Sequence, residues 1–69
     1  MNHYQMKRGE KVMVMNLTPE GVVIEEGIAE LLKPLGKVVG EQEYWLVRFN
    51  GEGTSERYPR WVNPVNRKN

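Results

Sequence analysis

Tyr44, Trp45, Phe49, Tyr58 and Trp61 fall within 18 positions, interleaved with Arg48, Arg57 and Arg60. Rings beside guanidinium groups can stack a planar ligand and hold an anion next to it. Base–aromatic stacking alone contributes roughly 1–3 kcal/mol per base. Tyr44, Tyr58 and Trp61, with Glu56, also supply the ingredients of a cage for a methylated ammonium. Against both stands a simpler duty. Trp45, Val47 and Phe49 alternate along the chain, and a chain this short needs its large side chains as core. Tyrosine and tryptophan keep a polar tip and suit a rim. The candidate ligand-contacting set is therefore Tyr44, Arg48, Arg57, Tyr58, Arg60 and Trp61.

Catalytic equipment is sparse. The 69 residues contain no Cys, no Asp, one His and one Ser. His3 lies near the terminus beside Tyr4 and Gln5. Ser55 has no histidine to activate it. Glu25 and Glu26 are adjacent, and adjacent side chains of an extended chain point opposite ways. They read as a solvated acidic loop rather than an acid–base pair. Zinc needs thiolate or imidazole ligands, and one imidazole is all this chain offers. Glu20, Glu25, Glu26 and Glu30 lack the spacing of a calcium loop. Gly51-Glu52-Gly53 is not followed by the Gly-Lys-Ser/Thr of a phosphate cradle. The expectation is a protein that is not an enzyme, with no cofactor and no metal.

Positioning the aromatic and basic groups falls to β elements. Glu43 to Phe49 is dense in aromatic and β-branched residues. One face carries Trp45, Val47 and Phe49; the other carries Tyr44, Leu46 and Arg48. Asn50-Gly51 follows, a dipeptide suited to the positive φ angles of a tight hairpin turn. Thr54 to Tyr58 is the expected return strand, stopped at Pro59, which has no N–H for the ladder. On that pairing Arg48 and Arg57 come from opposing arms. Arg60-Trp61-Val62 is expected as a short turn, and residues 62–65 as a final extended piece. Earlier in the chain, Glu10 to Met15 alternates with apolar residues on both faces. Met13, Met15, Leu17, Leu31, Leu35 and Leu46 exceed what one small core needs, which makes contact with a protein partner or a second copy an alternative use for them.

Residues 22–35 divide the reading. Ile24, Ile28, Leu31, Leu32 and Leu35 share one helical face. Thr18-Pro19 resembles a helix start, and Pro34 with Gly36 a stop. Val22, Val23 and Ile24 form a β-branched run, however, and Gly27 interrupts the segment. The strand reading is preferred because both flanks are β. It places a loop through Glu25-Glu26-Gly27 and a strand from Ile28 to Lys33. The alternative is α+β, with a helix at about 19–33 on a hairpin or three-stranded sheet.

The formal charge is +1, too balanced for bulk attraction to nucleic acid. It is unevenly distributed: residues 1–16 carry net +2, 17–43 net −4, and 44–69 net +3. No apolar run approaches the roughly 20 residues of a membrane span. The N-terminus lacks a secretory pattern, and Asn16-Leu17-Thr18 reads as an accidental match to a glycosylation acceptor. With no cysteine, these features fit a cytoplasmic protein. One domain is expected at 8–65, between a flexible N-terminus (1–7) and a flexible basic tail (66–69).

In order, the pieces are Arg8-Gly9-Glu10-Lys11-Val12-Met13-Val14, a long loop, Gly27 to Leu32, Tyr44 to Gly51, and Glu56 to Val62. Over about residues 8–65 this resembles an SH3-like small β-barrel of the Tudor, KOW or chromo-barrel kind. The resemblance implies five bent strands around one core, a short helical turn before the last strand, and a binding role. Such modules take nucleic acid, methylated peptides or proline-rich segments, so fold alone does not choose among them. Near-zero charge favours a protein or peptide partner at the aromatic–arginine face. The alternative is RNA or DNA held by Arg48, Arg57, Arg60, Arg67 and Lys68.

Overall fold

The computed structural model describes residues 4–50 and 56–68. Five strands form one antiparallel sheet: β1 (Lys11–Leu17), β2 (Val23–Val39), β3 (Gln42–Phe49), β4 (Tyr58–Val62) and β5 (Arg67–Lys68). Their spatial order is β4-β3-β2-β1-β5. A single 3-10 turn, Pro64–Asn66, precedes β5. Asn63 caps it by accepting the Val65 N–H at 3.1 Å. A helical turn before the last strand is thus present. It lies later than expected, because Arg60, Trp61 and Val62 belong to β4.

The strand preferred for Ile28 to Lys33 is present and longer than expected, running from Val23 to Val39. β2 runs through Glu25-Glu26-Gly27 without a loop. The residues at helical spacing do not share a face of this strand: Ile28 pairs with Met13 on the outer side, whereas Leu31 pairs with Val47 in the core. The register slips beside Val14/Met15, between Leu31 and Lys33, and between Pro34 and Val38. Each slip adds residues to β2 alone, which bends it and breaks the strict alternation a flat strand would show. Gly27 meets one slip at φ 147°, a region other residues seldom adopt. Pro59 does not end β4 but sits inside it, opposite Leu46. β4 is an edge strand, where a missing N–H can face outward. Of the expected turn and return strand, residues 51–55 lie outside the described residues, as does His3; Glu56 and Arg57 precede β4, which pairs from Tyr58 onward.

Alternation sorts the side chains. Val12 and Val14 of β1, Ala29 and Leu31 of β2, Trp45, Val47 and Phe49 of β3, and Val62 of β4 make the core. Met6 joins them from before β1, and Tyr4 packs its ring against Trp45 with centroids 5.8 Å apart. The packed unit therefore includes part of the segment placed outside the domain. The tail contributes as well: Arg67 and Lys68 pair with Val12 and Lys11.

A closed barrel was expected, and the sheet is not closed. β5 adds to β1 only at Lys11 and Val12, and among the described residues no ladder joins β1 to β4. The bends in β2 still curl the sheet enough to bring β1 and β4 into contact across a seam. Seven ladder-capable residues of β1 meet two of β5, so the hydrogen-bonding needed to zip the seam is missing. No helix among the described residues is long and apolar enough to cross a membrane.

Candidate functional site

The six residues singled out by type do not share one face. Val47 stands opposite Tyr58 and Trp45 opposite Arg60, so Tyr58 and Arg60 point to the core side of the sheet. Tyr44 stands opposite Trp61, and both point outward with Arg48, four residues along β3. Arg57 is exposed and lies one residue beyond the last pair of the β3–β4 ladder. The ingredients of a methyl-ammonium cage, Tyr44, Tyr58, Trp61 and Glu56, are thereby split between two faces.

On the core side, Arg60 closes the rim of the core with its own cluster. Its Nε and Nη2 donate to the two carboxylate oxygens of Glu26 at 2.9 and 2.7 Å. Its guanidinium lies over the rings of Tyr58 and Phe49, 5.4 and 5.8 Å from their centroids. Asn16 Nδ2 donates to Glu26 from β1 at 3.3 Å. Arg60's hydrogen bond holds the Glu26 carboxyl below its ordinary value; burial opposes, and Coulomb attraction to Arg60 and the Asn16 bond add to the lowering. The same bond raises Arg60, against burial, with help from Glu26's charge. Tyr58 Oη donates to Glu56. These rings already hold a cation, so they do not await one.

Two further arginines are likewise engaged. Arg48 meets Glu30 of the neighbouring strand at 2.6 Å, and Arg67 meets Glu10 at 3.0 Å. A phosphate backbone would have to displace a carboxylate at each of Arg48, Arg60 and Arg67.

The outward pair is different. The Tyr44 and Trp61 rings pack at 5.0 Å between centroids, with the Lys37 ammonium 5.5 Å from the centre of Tyr44. Trp61 remains 38% exposed. It looks onto the seam, where Met13 and Met15 of β1, Gln42, Val62, Asn63 and Asn66 complete a hollow of about 150 Å³. The odd-numbered residues of β1 point away from the core, which brings both methionines to this side. Sequence reasoning names Tyr44 and Trp61, and offers Met13 and Met15 as surplus apolar residues for a partner or a second copy. Gln42, Asn63 and Asn66 carried no signal, because the curl of the sheet alone brings them to the seam.

A larger hollow, of about 390 Å³, lies between the N-terminal segment and the bend of β2, lined by Tyr4, Met6, Lys7, Arg8, Pro34 and Trp45. Behind it Glu43 is buried at 2% exposure. Its carboxylate accepts the Trp45 Nε1–H at 2.9 Å and the backbone N–H groups of Gln5 and Met6 at 2.9 and 3.4 Å. This is a structural clasp: all three donors belong to the wall of the core. Among the described residues no group of three or more His, Cys, Asp or Glu could hold a metal. No family model matches the chain, and neither a curated protein nor a solved structure matches it.

Proposed function

We propose that this protein is a non-enzymatic binding module that holds a protein or peptide partner along the seam between β1 and β4. The observation that carries the reading is Trp61: a large ring, stacked on Tyr44, left in solvent beside a thioether- and amide-lined hollow. A small domain has every reason to bury such a ring. Tryptophan and tyrosine at the centre of a surface hollow supply most of the energy in typical protein interfaces. Methionines beside them adapt to an irregular partner. Asn63, Asn66 and Gln42 provide donors and acceptors for a partner backbone. The curled five-stranded order, the bent second strand and the 3-10 turn before a short last strand support kinship with SH3-like modules, here with an open seam. Engagement of Arg48, Arg60 and Arg67 by glutamates weighs against RNA or DNA.

Selection of a random peptide library against the protein, with Trp61→Ala as the counter-selection, tests this. Peptides should be recovered whose affinity falls at least about tenfold on the Trp61→Ala protein, while Arg57→Ala leaves it unchanged. A melting curve for each variant separates lost binding from lost fold. Mixed-sequence oligonucleotides are titrated in parallel. Oligonucleotide binding that weakens steeply with salt, with no Trp61-dependent peptide, would overturn the proposal.

A further inference from the structure

The seam has two banks, and they carry opposite charge. The first is the outer face of the β1–β2 hairpin. Leu17 pairs with Val23 at its tip, 66% and 59% exposed, and Met15 pairs with Glu25. Glu20 lies in the turn between the strands, exposed. No Lys or Arg occurs in the sequence between Lys11 and Lys33. The second bank is the end of the β2–β3 hairpin. Val39, 67% exposed, pairs with Gln42 on the side of Tyr44, and Lys37 lies over the Tyr44 ring. Lys33 is exposed on the same outer side of β2, opposite Leu46; Glu41 in the turn is the one exposed carboxylate of this bank. Glu43, though near in sequence, is buried in its clasp. Trp61 and the hollow lie between the banks.

From this arrangement we infer that the partner held at the seam is a second copy of this chain, related by a two-fold axis through the hollow. The inference rests on the reading of the seam as a docking surface. A patch that is apolar at its centre, acidic on one bank and basic on the other is self-complementary under two-fold rotation. The acidic bank of each copy faces the basic bank of the other, and the contact closes as a pair. Exposed apolar residues clustered in this way mark interaction sites on soluble domains. The edge of β1 beyond Val12 adds to the match: β5 stops there, and Met13 to Leu17 contain none of the lysines or prolines that guard exposed edges. The opposite edge, β4, carries Pro59 and Arg60.

Charge exchange tests the two-fold arrangement. Glu25→Lys and Lys37→Glu are made singly and together in the full chain, and mass is measured by light scattering and sedimentation across a wide concentration range. The wild type should form dimers. Each single variant sets like charges opposite each other twice and should weaken the dimer at least about tenfold. The double variant exchanges the facing Glu25 and Lys37 charges and should restore it to within about threefold of the wild type. Melting curves confirm that all four proteins fold. A wild type that stays monomeric, single variants that dimerise undiminished, or a double variant that does not recover would each overturn the inference. If Trp61-dependent peptide binding persists in a strictly monomeric protein, the docking surface stands and only the identity of its occupant fails.

Discussion

Two glutamates show how differently one residue type can be used. Glu26 is about a quarter exposed and shares its charge with Arg60 across the sheet. Because its folded carboxyl titrates below the ordinary value of 4.5, the folded state holds this group ionised where the unfolded chain begins to bind a proton. The stabilisation is complete above that ordinary value and is lost as pH falls through the lowered one. Glu26→Gln should therefore cost no more than about 1 kcal/mol at neutral pH, as for other partly exposed pairs. Its urea midpoint should also fall less than the wild type's between pH 6 and pH 3. An identical pH dependence in the two proteins would mean the pair contributes nothing. Glu43 has no ion pair among the described residues. Its carboxylate collects three N–H donors in the core wall, and Glu43→Ala leaves those donors without it. A buried carboxylate so committed should cost about 2–4 kcal/mol on removal, read as a fall in ΔG of unfolding by urea titration. Glu43→Gln keeps one acceptor oxygen and should recover part of that loss.

At the scale of elements, β2 decides the shape, and its bends depend on small local exceptions. Gly27 stands at the first slip, where an added Cβ would lie 3.5 Å from the Phe49 ring. Space is adequate there; the backbone is not, since φ of 147° strains any L side chain. Gly27→Ala should destabilise by about 1–2 kcal/mol through strain alone, and Gly27→Val by a similar amount or more. Calorimetric melting of the two variants measures this, and an unshifted alanine variant would show that the bulge relaxes at no cost. The same bulges explain what could be read beforehand. The dense run Glu43 to Phe49 announced its strand and both of its faces. β2 is recognisable as strand from its β neighbours, but three register slips break its alternation, so neither its length nor its bend can be read from the pattern. Pro59 reads as a stop in the sequence because a proline's tolerance depends on whether its strand lies at an edge, which is a property of the assembled sheet. The candidate site was legible as residue types and not as faces. Placing Tyr58 and Arg60 inward and Trp61 outward requires the β3–β4 register, and nothing in the types of those residues fixes it.

The whole molecule is a sheet that curls to the point of contact and then leaves its last seam unzipped. Its Cα radius of gyration, 11.7 Å, is close to the value of about 11 Å expected for a packed chain of this length, so the open seam costs little compactness. What substitutes for closure is the use of both chain ends. Arg67 and Lys68 extend the sheet beyond β1, and Arg67 also donates to the Gln5 carbonyl at 2.6 Å. The two ends thus touch each other as well as the core. Among the described residues Met6 is one of nine that are apolar and buried, a large share of so small a core. Met6→Ala should then cost about 2–3 kcal/mol, which for a domain of this size lowers the melting temperature by roughly 8–24 °C. Deletion of residues 1–6 should cost more, because it also strips Glu43 of two donors and Trp45 of its Tyr4 cover. Both variants keep Trp45, whose fluorescence reports the loosening directly, and Trp61→Phe in each background removes the second indole from the signal. If the deletion variant melts within about 3 °C of the full chain, less than the shift from 1 kcal/mol, residues 1–6 are ornament and the core is complete without them. A large shift for the deletion but none for Met6→Ala would instead assign the stabilisation to the Glu43 clasp rather than to apolar burial.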